Sequence, residues 1–66
     1  MQTTPIIFNE REAARILGIS VHTLRARRFK GLEPEYLKIS KSVRYEAEAL
    51  ERFLRSCRVR VGGQVA

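Results

Sequence analysis

Glu12-Ala13-Ala14-Arg15-Ile16-Leu17-Gly18-Ile19-Ser20-Val21-His22-Thr23-Leu24 is the stretch that decides the fold. Glycine after Leu17 supplies a left-handed helix end, and Ser20, two residues on, is a strong helix start. A helix running through Ala13–Leu17 therefore stops at Gly18, and a second begins at Ser20. Leu24 is the clear core residue of its first turn. Two short helices joined by a glycine-containing turn make a helix-turn-helix.

Upstream, Asn9 is the expected N-cap of the first helix, and Glu12 three residues later completes a capping box. Glu10 and Glu12 also sit at the positive end of the helix dipole. Phe8, just before the cap, is placed to staple onto Ala13 or its neighbours. Downstream, Gly31 ends the second helix. Leu32-Glu33-Pro34 is a connector, because proline excludes a continuing helix. Glu35–Ile39 alternates around Leu37 and Ile39, Ser40-Lys41-Ser42 is turn-like, and Val43-Arg44-Tyr45 returns, which predicts a small β-hairpin. From Glu46 to Arg55 or Cys57, the residues Leu50, Phe53, Leu54 and Cys57 form one apolar stripe of a third helix. Tyr45 and Phe53 are expected in the core, and Cys57 as a small buried apolar residue. Arg58-Val59-Arg60-Val61 alternates without helical period, and Gly62-Gly63 suits a frayed end. The fold class is mainly α with a small β-hairpin. Residues 1–7 read as an N-terminal arm, 8–56 as the domain, and 57–66 as a flexible basic tail.

The chain of 66 residues carries 13 Lys and Arg against 7 Glu, a net charge of +6. Three segments hold no acid: Val21–Lys30, Tyr36–Tyr45 and Arg52 to the end. Such a distribution points to an anionic polymer such as nucleic acid. One cysteine, one histidine and no aspartate give neither a metal-ligand cluster nor a nucleophile–base pair. We therefore expect no enzyme activity, metal, cofactor or small-molecule substrate. The lone thiol fits a reducing, cytoplasmic setting. No apolar stretch approaches the roughly 20 residues of a spanning helix, so no membrane partner is expected.

The Glu12–Leu24 block resembles the helix-turn-helix of small excisionase-type proteins, relatives of the MerR-type winged helix. The likeness continues through Gly31, the hairpin, the Arg44-Tyr45 pair and the closing helix, covering roughly residues 8–55. Arg27 stands where that family often has an aromatic, with Phe29 as the replacement bulk. The wing tip is Ser40-Lys41-Ser42 where glycine is common, and the closing helix lacks a good N-cap residue. The resemblance implies a winged helix-turn-helix that binds adjacent duplex sites side by side with neighbouring protomers. It also implies DNA bending and an integrase or other recombinase steered toward excision of a mobile element. The chain ends soon after the third helix, without a dimerising coiled coil, which favours this role over a MerR-type regulator. A small transcriptional regulator using the same surface is the alternative, and an interaction module with incidental basicity is a third reading.

In a helix-turn-helix the second helix enters the major groove with its N-terminal residues leading. That makes Val21, His22, Arg25 and Arg28 the candidate base contacts. Arginine pairs two donors with guanine, and valine suits a thymine methyl. Ser20, Thr23, Arg27 and Lys30 are candidates for phosphate. Ser20 reads first as an N-cap, with phosphate contact in addition, and Arg27 alternatively as a stem lying over the core. Lys38, Lys41, Ser42 and Arg44 are the wing's candidate DNA contacts, Arg44 alternatively pairing with Glu46 or Glu48. Arg58, Val59, Arg60 and Val61 are the candidate protein-partner contact.

Overall fold

The computed structural model describes residues 4–62. The remainder of the arm (1–3) and of the expected tail (63–66) lies outside the described residues. In chain order the elements are β1 (Ile7–Asn9), α1 (Glu10–Leu17), α2 (Val21–Phe29), β2 (Leu37–Ile39), β3 (Ser42–Glu46) and α3 (Ala47–Ser56). This is a winged helix-turn-helix, with a three-stranded antiparallel sheet in the order β1-β3-β2.

Local chemistry sets the helix ends as the residue types demand. The Asn9 side chain accepts from the Glu12 backbone N–H at 2.8 Å, and the Glu12 carboxylate accepts from the Asn9 N–H at 2.9 Å. Two otherwise orphaned donors are thus satisfied reciprocally. Gly18 closes α1 at φ +72°, its N–H reaching the Ala14 and Arg15 carbonyls. A side chain there would be strained by the backbone angle alone, since open space surrounds the position. Ser20 Oγ then accepts from the Thr23 N–H at 3.0 Å and opens α2.

The core cluster is Ala13, Ala14, Leu24, Tyr45 and Leu50, with Phe8, Leu17, Ile19, Val21 and Val43 packed around it. The alanine pair lets α2 approach α1 closely, and Leu24 fills the junction with no exposed surface. Burying a leucine side chain contributes about 1.5–3 kcal/mol. Tyr45, on β3, is equally buried and joins the sheet to the helices.

Four particulars depart from the sequence reading. First, the expected arm reaches into the fold. Ile7, Phe8 and Asn9 pair with Glu46, Tyr45 and Arg44 of β3, so the hairpin gains a third strand. The same segment supplies the missing cap of α3. Glu46 makes no side-chain capping bond, and the Ala47 N–H donates instead to the Ile6 carbonyl at 2.9 Å. Second, α3 buries Ala49, Leu50 and Phe53, whereas Leu54 and Cys57 are exposed. The stripe holds over its first turns and fails at its end. Third, Phe29 does not replace the missing aromatic: it is 78% exposed. Arg27 fills that place, its guanidinium 4.9 Å from the centre of the Phe53 ring, while its Nε–H donates to the Glu33 carbonyl. Fourth, the wing loop is tighter than the Ser40-Lys41-Ser42 turn. Ile39 pairs with Ser42, leaving Ser40 and Lys41 as a two-residue loop. Ser40 takes φ +56° there, as the first position of a type II′ turn requires.

Candidate nucleic-acid interface

α2 is held from one side only. Leu24 is buried, while Val21 leans on the core and Arg27 lies against Phe53. His22, Thr23 and Ala26 are exposed, Phe29 more so. His22, Arg25, Ala26 and Phe29 recur at i, i+3, i+4 and i+7, one outward ridge of the helix. Val21, a candidate for a thymine methyl, is half-buried against the core. Ser20 caps the helix and its hydroxyl also lies 2.9 Å from that of Thr23. Lys30, at the C-cap, is exposed.

Arg25 and Arg28 meet on one carboxylate. Arg28 grips Glu10 side-on, with Nε to Oε2 at 2.7 Å and Nη2 to Oε1 at 3.3 Å. Its guanidinium also stacks 4.8 Å from the Phe29 ring centre and 5.9 Å from that of Tyr36. Arg25 donates to the same carboxylate through Nε alone, at 3.2 Å. The Tyr45 hydroxyl donates to Glu10 Oε2 from below, at a long 3.4 Å. Side-chain exposure separates the two arginines: 16% for Arg28 and 40% for Arg25, with Glu10 at 12%.

Burial alone pushes the Glu10 carboxyl up. Hydrogen bonds and charges from Arg28 and Arg25 outweigh it and hold the group below its ordinary 4.5. Glu10 in turn raises Arg28. Burial, reinforced by the Glu10 charge, pushes the Tyr45 hydroxyl up to about 12. At neutral pH the cluster is a carboxylate, two guanidiniums and a neutral phenol.

The wing faces this cluster across a shallow cleft. Arg11, Arg25, Arg28, Lys41 and Arg44 line it around Glu10, so five cations surround one anion. Lys38 and Lys41 are exposed. Arg44 is half-buried and donates to the Val43 carbonyl at 2.8 Å rather than pairing with Glu46 or Glu48. Ser42 is half-buried at the start of β3. The structure thus brings Arg25, Arg28, Lys41 and Arg44 to one cleft. Ser20, His22 and Thr23 lie at the other end of α2.

Sequence reasoning missed Arg11 and Glu10 at this site. Arg11 lies between Glu10 and Glu12, so no acid-free segment marks it. Glu10 was fully accounted for by the helix dipole, so nothing local called for a second partner.

A family model described as a helix-turn-helix domain matches residues 8–58. The chain belongs to the helix-turn-helix domain family. Membership and the basic cleft together point to DNA as its partner. No curated protein matches the chain. Arg58, Val59, Arg60 and Val61 sit at or beyond the end of the family match and are exposed, Val59 at 78% and Val61 at 87%. No helix among the described residues is long and apolar enough to cross a membrane.

Proposed function

We propose that this helix-turn-helix protein reads duplex DNA by sequence, with no catalysis of its own, and serves as an excisionase-like recombination directionality factor. The observation that carries the DNA reading is the cleft between α2 and the wing, where five cations flank a single carboxylate. A phosphate rail fits such a cleft, and the exposed ridge of α2 beside it suits the major groove. Arg25 and His22 are the base readers; Arg11, Lys30, Lys38 and Lys41 hold phosphate, with Ser20, Thr23, Ser42 and Arg44 beside them. Ala26 and Phe29 are better placed than Val21 for thymine methyls, a contact both residue types make.

The recombination role draws on the likeness of the Glu12–Leu24 block and the Arg44-Tyr45 pair to excisionase-type proteins. In that role neighbouring protomers occupy adjacent sites and bend the duplex, and Arg58–Val61 meets a protomer or an integrase. Selection from a random duplex library, followed by footprinting on the flanks of the nearest integrase gene, tests both levels. Recovery of a defined motif, occurring there as spaced repeats, supports the proposal. A motif found only at promoters points to transcriptional regulation, and failure to enrich any motif overturns sequence-specific binding. Truncation after Cys57 leaves α3 whole; unchanged cooperativity and excision removes the tail from the role.

A further inference from the structure

We propose that Glu10 is a specificity-determining positioning residue: its carboxylate holds Arg25 by Nε so that the terminal nitrogens face the major groove as a preset guanine fork. This assignment rests on the duplex-binding function proposed above. Glu10 stands at the first position of α1 and Arg25 fifteen residues later on α2, yet their side chains meet at 3.2 Å. Among the described residues, the Arg25 terminal nitrogens make no protein hydrogen bond. A guanidinium anchored at Nε keeps the pair of donors that matches guanine O6 and N7.

Glu10 is itself fixed from behind. Arg28 engages both of its oxygens and the buried Tyr45 hydroxyl donates to one. Arg28 has its own stacking partners in Phe29 and Tyr36. It therefore serves as the buttress and leaves base reading to Arg25. A carboxylate inside a DNA-facing cationic cleft also repels phosphate. Its presence weakens binding to any duplex, and what offsets that loss is a reader arginine with less rotamer freedom to lose on binding.

The two effects have opposite signs in one experiment. Affinities for the selected motif and for a random duplex are measured for the wild-type chain, Glu10→Ala, Glu10→Gln and Arg25→Ala, each corrected for folded fraction. With Glu10→Ala, affinity for random duplex should rise a few-fold as a negative charge leaves the cleft, while the motif-to-random ratio falls about tenfold, the scale of one good bidentate contact. Glu10→Gln keeps one acceptor in place and should recover part of the ratio. Replacing the contacted guanine with 7-deazaguanine should weaken the wild-type chain and leave Arg25→Ala and Glu10→Ala nearly indifferent. A purely structural role scales both affinities together and leaves the ratio unchanged, which overturns the inference. It is equally overturned if Glu10→Ala keeps full sensitivity to 7-deazaguanine. Failure of the wild-type chain to prefer any motif instead strikes the DNA reading itself.

Discussion

Arg28 and Lys41 line the same cleft, but the protein treats their charges differently. Arg28 is clamped by a carboxylate that is itself held from the core, and little of its side chain is exposed. Lys41 stands exposed in a two-residue loop, and no bond from its side chain to another described residue is seen. One region fixes its cations before any ligand arrives; the other holds its lysines out in solvent. The difference matches two kinds of work. Reading a base edge rewards a side chain already in position, whereas neutralising a phosphate depends on charge and little on geometry.

The most severe way to break the comparison is to unseat α2. Leu24→Ala should cost about 2–5 kcal/mol, against a total stability of roughly 3–10 kcal/mol for a domain of this size. Chemical denaturation should show a large loss or an absent transition. Arg28→Ala comes next. It leaves the Glu10 carboxylate with Arg25 and a distant phenol, so about 1–3 kcal/mol should be lost. Denaturant midpoints should fall accordingly, and specificity should weaken as the buttress goes.

Acid and alkali probe the clamp from either side. Because the folded state holds Glu10 below its ordinary 4.5, the clamp contributes stability at neutral pH and loses it as pH falls below that value. Arg28→Ala should blunt the acid-side decline. Tyr45 acts at the other end. Its hydroxyl is raised to about 12 in the fold, so stability should drop as pH climbs from the ordinary 10 toward that figure. Midpoints measured across pH, with and without Arg28, check both limbs.

Smaller effects are expected in the wing. Lys38→Ala with Lys41→Ala should lower the slope of log affinity against log salt by roughly 2, about 0.9 per phosphate contact. The ratio between motif and random duplex should hold, in contrast to Arg25→Ala. Smallest of all, Ser40→Gly relieves a left-handed backbone at φ +56° and should stabilise by about 0.5–1 kcal/mol. Thermal denaturation would show it, with no change in DNA preference.

The sequence was most legible where the physics is local. The Asn9–Glu12 box, the Gly18 end and the Ser20 cap each involve residues within a few positions of one another, and all stand where their chemistry puts them. The wing strands were legible from alternation, though shorter at the start of β2 than read. What escaped was non-local. Ile7–Asn9 is too short to announce a strand, and its partners lie at the other end of the domain, on β3. The bulk of Phe29 suggests an inward ring, yet it is exposed. Arg27 lies against Phe53, in keeping with the reading of its side chain as lying over the core, although no spacing rule names the ring it meets. Face and charge alone mark both arginines of the clamp as candidates. Their shared tie to Glu10 spans 15 and 18 residues and is invisible to a reading that proceeds by neighbours.

Strand β1 has a consequence for how the chain reaches its native state. Its pairing partners are the residues of β3, and the carbonyl of Ile6 just before it accepts from the Ala47 N–H. During synthesis the first segment must wait, unpaired, until most of the domain has left the ribosome. Contacts so distant in sequence slow the closing step relative to helix formation. No nascent fragment ending before Glu46 holds all three strands, and none ending before Ser56 holds the whole of a capped α3, so the domain completes itself late and all at once.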